Sequence, residues 1–143
     1  MGSGVGVGVA GAVVAVGAEG ANNSLGAAYV FVKPPGGWSN LTETAELTAS
    51  NGQPSDGLGA SVATHNGRVV AGAPSNGGSG AIYTFVEPTG GWVNETETAE
   101  LRASGSGELG ISVAIVGRTI LGGARHTPVG GPGYGAAYVF GPR

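Results

Sequence analysis

The groups in this sequence able to do proton or acyl chemistry are two histidines, nine carboxylate side chains and a scatter of serines. A Ser-His-Asp relay needs a nucleophile, a base and an orienting carboxylate in one hydrogen-bonded line. Asp56, with His65 or His126 and a serine, supplies the residue types, but no Gly-x-Ser-x-Gly elbow holds a serine on a sharp turn. His65 stands beside Asn66-Gly67 and His126 lies in a stretch rich in Gly and Pro, positions where an imidazole is solvated. With no Cys and no clustered Asp, two histidines do not make a zinc site. The strings Gly6 to Gly11 and Gly105 to Gly110 both read Gly-x-Gly-x-x-Gly, yet a dinucleotide site needs a strand before and a helix after, and neither string has that context. The expectation is a chain with no catalytic residue, no cofactor and no metal.

Other side chains suit recognition better than catalysis. Trp38 and Trp92 each follow a Gly-Gly pair, where an indole would either stack on a sugar ring or pack beneath its own outer strand, and packing is the expectation. Asp56 and Glu108 fall in loops leading into new strand groups and are read as solvated loop acids. Asn22-Asn23-Ser24, Asn40-Leu41-Thr42 and Asn94-Glu95-Thr96 are sequons, so Asn22, Asn40 and Asn94 are candidate glycosylation sites on a secretory route.

The elements that position these groups follow from composition and repetition. Of 143 residues 31 are Gly, 41% are apolar and 10% are charged. A disordered chain would be poorer in apolar residues, and Gly at this density would cost helix interiors roughly 1 kcal/mol per residue. Short strands joined by tight turns remain. The formal charge is −3 and the basic residues Lys33, Arg68, Arg102, Arg118, Arg125 and Arg143 are dispersed, which argues against nucleic acid. The uncharged stretch Met1 to Ala18 nears bilayer-spanning length, but its glycines and its place in the repeat make it strand, so no membrane span is expected.

Set against itself at a shift of 54, Ala27 to Ser50 matches Ala81 to Ser104 with 17 of 24 positions identical. A third copy appears when Gly59-Ala60-Ser61-Val62-Ala63 is laid over Gly110-Ile111-Ser112-Val113-Ala114, and Gly4-Val5-Gly6-Val7 enters the same frame. Each period holds four strand-like runs, in the second copy Ala60 to Thr64, Arg68 to Ala73, Ala81 to Val86 and Glu97 to Ala103. Asn66-Gly67 between apolar runs predicts a type I′ hairpin. Runs apolar on both faces predict strands enclosed on both sides, and the small residues of the opening strands suit a position near an axis. In the fourth run Ala99, Leu101 and Ala103 alternate with Thr98, Glu100 and Arg102, as an outer strand would. The fold class is therefore all-β, with blades of four antiparallel strands: blade 1 at about 4–50, blade 2 at about 58–104 and an incomplete blade 3 at about 109–143. Nearly three blades make a partial propeller, or one that an oligomer or further blades of a longer chain would complete.

These residues resemble the FG-GAP repeats of the integrin α propeller and of many secreted or surface proteins. The likeness rests on Leu58-Gly59, on Gly72-Ala73-Pro74 after the second strand, on the Gly-Ala-aromatic third strand and on the Trp-led outer strand, with Leu109-Gly110 and Gly123-Ala124 as the third copy. Leucine replaces the leading Phe at Leu58 and Leu109, and the closing Pro survives only at Pro74, with Glu19 and Arg125 elsewhere. The Asp-x-Asp-x-Asp-Gly calcium loop of integrin-like blades is replaced by Thr64 to Arg68 and by Ile115 to Thr119, so calcium is not expected at these hairpins. The resemblance implies a non-enzymatic binding or adhesion scaffold, extracellular or at the cell surface, whose loops meet a protein or glycan. An accessory propeller of a larger secreted enzyme and a purely structural repeat without a ligand are the alternatives.

Overall fold

A computed structural model describes residues 6–105, 107–127 and 133–142. The expected limits of blades 1 and 3, at residues 4 and 143, lie outside the described residues, as do Gly4, Val5 and Ser106 of the motifs above. The described residues form three sheets. The first contains β1 (Val7–Ala10), β2 (Val13–Ala18), β3 (Ala27–Val32) and β4 (Ala45–Thr48), paired in that order and antiparallel. β5 (Ser61–Thr64), β6 (Arg68–Ala73) and β7 (Ala81–Val86) open the second sheet; after β8 (Glu95–Thr96), β9 (Ala99–Leu101) completes it. The third is β10 (Ser112–Val116), β11 (Thr119–Thr127) and β12 (Tyr134–Phe140). These three antiparallel sheets are the blades.

The hairpins follow from backbone chemistry. Asn66 at φ +45° and Gly67 at φ +68° put both central residues of the β5–β6 turn in the left-handed region, as the Asn-Gly pair predicts. The turn closes on itself, with the His65 N–H donating to the Arg68 carbonyl at 3.0 Å and the Thr64 hydroxyl donating to the same oxygen at 2.8 Å.

The opening strands β1, β5 and β10 lie next to one another in succession, so the small-residue strands are the inner ones. Between these sheets lie two cores. Ala15, Val30 and Leu47 of blade 1 meet Val62, Val69, Ala71, Tyr83 and Phe85 of blade 2, all 7% exposed or less. Val70 and Ile82, on the opposite face of blade 2, meet Leu109, Ile120 and Ala124. The middle blade is therefore buried on both faces, which is why β6 and β7 read as continuous apolar runs.

Approach between blades is close enough to require bare backbone. A Cβ on Gly17 would lie 1.9 Å from the Gly59 carbonyl oxygen, and one on Gly72 would lie 1.9 Å from that of Gly110. Parallel bridges from Gly26 to Leu58 and from Gly80 to Leu109 tie the same seams. The repeated Leu-Gly and Gly-Ala pairs are thus the two halves of each interblade seam.

The fourth run departs from expectation. In place of one strand over Glu97 to Ala103, only Ala99–Leu101 pairs with β7, while Glu95–Thr96 runs parallel to β4 of the preceding blade. Ala99 is exposed, and Leu101 and Ala103 alone turn toward the core between blades 2 and 3. The cause is local: Asn94 Oδ1 accepts the Glu46 N–H at 2.9 Å, and Glu97 takes both the N–H and the hydroxyl of Ser50, at 2.8 and 2.6 Å. Residues 94–97 form a clasp on blade 1. The strand expected from Ala60 starts one residue later, at Ser61.

Candidate functional site

The end of the blades that carries the β2–β3, β4–β5, β6–β7 and β9–β10 connections holds a buried polar cluster. Asp56 and Asn76 are 6% and 5% exposed. Asn76 Nδ2 donates to Asp56 Oδ2 at 2.7 Å and to the Tyr83 hydroxyl at 3.1 Å. The Tyr83 hydroxyl in turn donates to Asn51 Oδ1 at 2.9 Å and lies 3.3 Å from Glu100 Oε1. Asn51 Nδ2 donates to the other Glu100 oxygen at 3.1 Å, and the Gln53 N–H donates to Asp56 at 2.8 Å. Arg102 completes the group, bonded to Asn76 Oδ1 and ion-paired with Glu100. Burial, then the neighbouring Glu100 carboxylate, push the Tyr83 hydroxyl far above its ordinary pKa, so it is a neutral donor at any physiological pH.

This cluster is a brace, because its groups satisfy one another across two connections and the strands beneath them. Asn51, Gln53 and Asp56 belong to the link between blades, Asn76 to the β6–β7 loop, and Tyr83 and Glu100 to the strands beneath, while Arg102 stands just after β9. Asp56 is therefore not the solvated acid that its loop position suggests: it anchors the loop from inside. A reduced version stands in blade 1, where Asn22 Nδ2 and the Tyr29 hydroxyl donate to Glu46 Oε1 at 2.8 and 3.2 Å. Asn22/Asn76, Tyr29/Tyr83 and Glu46/Glu100 all coincide at the shift of 54. That identity was the available signal for a group that residue-by-residue reading passes over.

Around the brace the loops hold unusual backbone. Asn22, Asn23, Ser24, Ser55 and Glu108 all have φ between +53° and +72°. Such conformations persist where surrounding structure over-determines them, and they gather at recognition surfaces. Glu108 meets Arg125 at 3.2 Å and His126 at 3.8 Å.

The histidines come nowhere near a relay. His65 closes the β5–β6 hairpin at the opposite end of that blade from Asp56, and His126 is exposed beside Glu108. Among the described residues no three His, Asp or Glu side chains gather as metal ligands would, and no helix is long and apolar enough to cross a membrane.

The two tryptophans part company. Trp92 is 5% exposed and joins the core shared by blades 1 and 2, with Val13 and Val32 of blade 1 at the edge of the same cluster. Trp38, its repeat equivalent, is 48% exposed. The expectation that each indole packs beneath its own outer strand thus fails at Trp38: the seat of Trp92 is made with a preceding blade, and blade 1 has none before it among the described residues. Between blades 2 and 3 an open cleft of about 210 Å³ is lined by Arg68, Val70, Leu101, Arg118, Ile120 and Phe140.

Of the remaining repeat positions, Leu58, Gly59, Gly72, Ala73, Pro74, Leu109, Gly110 and Ala124 are buried along the seams and Gly123 is half-buried. Asn22, Asn40 and Asn94 are exposed. A search of curated proteins returned no match. Residues 41–85 match the family model described as FG-GAP repeat. The matched segment runs from the approach to β4 through most of β7, so the sequence repeat straddles two blades and stitches them together. From the outer strand of its first blade to the third strand of its second, this chain is similar to an FG-GAP repeat.

Proposed function

We propose that this chain is a non-enzymatic binding scaffold of the adhesion type, acting outside the cell or at its surface, with a protein or glycan ligand met by the braced loop end. The observation that carries this reading is the buried Asp56–Asn76–Tyr83–Glu100 brace. It spends hydrogen bonds on holding loop backbone still, and a surface ordered in advance loses less entropy on binding. Loops on a rigid scaffold are where recognition residues concentrate. The FG-GAP repeat supports the same assignment by analogy of architecture.

The test is binding of the purified chain to arrays of glycans and of extracellular matrix proteins, with Gln53 and Ser75 as the probed rim. Both side chains are exposed at the rim, and Gln53 joins the brace at Asp56 through its backbone N–H, which alanine keeps. The expected result is saturable binding that a Gln53→Ala/Ser75→Ala variant weakens at least tenfold while its melting temperature is unchanged. Binding to neither array, by a chain whose fold is intact, would favour a purely architectural repeat.

A further inference from the structure

Four dipeptides in this chain set an Asn or Asp before a Gly: Asn51-Gly52, Asp56-Gly57, Asn66-Gly67 and Asn76-Gly77. In such a pair no Cβ shields the glycine nitrogen, which can reach the side-chain carbonyl carbon of the preceding residue and close a five-membered ring. Three of the four pairs lie in the brace. Asn51 Oδ1 accepts the Tyr83 hydroxyl and its Nδ2 donates to Glu100. Asp56 Oδ2 accepts from Asn76 and from the Gln53 N–H. Asn76 commits Nδ2 to Asp56 and Tyr83, and Oδ1 to Arg102. Ring closure at any of these must first break two or more hydrogen bonds, and Asp56 and Asn76 are also only 6% and 5% exposed.

Asn66 stands apart. It is exposed at the tip of the β5–β6 hairpin, and neither its side chain nor the Gly67 N–H makes a hydrogen bond among the described residues. The turn is held by the His65–Arg68 pair at 3.0 and 3.1 Å and by the Gly67 carbonyl, which accepts the Glu87 N–H at 2.8 Å. None of those bonds uses the groups that react. The turn must open for the ring to form, and a two-residue hairpin tip outside both cores is where local opening costs least.

We infer that Asn66 is a site of spontaneous covalent modification, passing through a succinimide to aspartate and isoaspartate, while the brace protects the other three pairs. The Gly67 main-chain nitrogen gives up its proton and bonds to Asn66 Cγ; the bond from Cγ to Nδ2 breaks, and the side-chain nitrogen leaves as ammonia with that proton. Water then adds to the ring. Breaking the new bond from Cγ to the Gly67 nitrogen yields aspartate, and breaking the original peptide bond yields isoaspartate. Either product adds one negative charge to a chain of formal charge −3, beside the Glu87 carboxylate, whose Oε2 would lie 3.1 Å from a Cβ on Gly67. Aspartate keeps the hairpin, since Asp-Gly favours the same type I′ turn. Isoaspartate routes the main chain through Cβ, lengthens the two-residue loop and displaces His65 from Arg68. This inference is independent of which ligand the loops meet.

The test is incubation of the folded chain in ¹⁸O-labelled water at mildly alkaline pH and body temperature, with peptide mapping by mass spectrometry at intervals. The label enters wherever a ring has opened, so it reports Asn51, Asp56, Asn66 and Asn76 separately. Asn66 is expected to convert at least about tenfold faster than Asn51 or Asn76, and the three asparagines at similar rates when the chain is unfolded in guanidinium chloride. Tyr83→Phe removes the hydroxyl that Asn51 and Asn76 share, and is expected to raise conversion at Asn51 several-fold while Asn66 keeps its rate. An Asn66 still intact in the folded chain after the unfolded chain has converted fully would overturn the inference, as would Asn51 or Asn76 keeping pace with it. An unchanged rate at Asn51 in Tyr83→Phe would overturn the protective role given to the brace.

Discussion

At Gly17 and Gly72 the argument for glycine is one of space, since neither backbone sits in the left-handed region. The missing methyl is the room through which the next blade's carbonyl approaches. Gly72→Ala is expected to cost roughly 2–4 kcal/mol, because the clash at Gly110 is with backbone and only a shift of blade 3 relieves it. Gly90→Ala is the matched control: nothing lies within 4 Å of its added Cβ, and the change should stay within about 0.5 kcal/mol of the parent. Urea midpoints of the two variants check the pair, and equal midpoints would remove the seam from the explanation. The sequence showed that Gly-Ala and Leu-Gly recur. It did not show that they touch one another, because a contact between residues about forty positions apart leaves no local pattern.

Among the elements, the clasp of residues 94–97 on β4 makes the clearest departure from what alternation alone suggests. A period-two reading joins Thr98, Glu100 and Arg102 into one strand from Glu97 to Ala103, yet Glu97 and, just before it, Asn94 bind the preceding blade and cut the strand short. Burial opposes ionisation of Glu97, but the hydroxyl and N–H of Ser50, with the N–H of Glu97 itself, outweigh it and hold the carboxyl below its ordinary pKa. A carboxyl lowered in the folded state contributes stability above its unfolded pKa, roughly 4.3. That contribution is lost as pH falls through the lowered folded value. Glu95, raised by burial, works in the opposite sense and gains on protonation. Glu97→Gln should therefore destabilise by about 1 kcal/mol at neutral pH, solvent screening keeping the effect small, and by nearly nothing well below the ordinary Glu range. Denaturant titrations at the two pH values check this, and an equal loss at both would assign the effect to packing. The third strands and the Asn66-Gly67 turn, by contrast, were legible to the residue, because turn chemistry and two-sided apolar runs are local signals.

For the molecule as a whole, repetition made the blade count and the inner-to-outer order of strands readable from sequence alone. The fate of the two tryptophans was not readable, since the same residue at the same repeat position differs, among the described residues, in whether a blade precedes it. The same asymmetry governs stability: among the described residues the middle blade has neighbours on both faces, and blades 1 and 3 have one each. Local opening should follow that gradient, because protection scales with the apolar contacts that must be broken. The decisive measurement is native-state amide hydrogen exchange at low protein concentration. The slowest amides are expected in Val69 to Ala73 and Ala81 to Phe85, with Val7 to Ala10 and Ala137 to Val139 exchanging well before them. Uniform protection across the three blades, or slowest exchange in β1 or β12, would contradict a stack whose middle blade is enclosed on both faces by its neighbours.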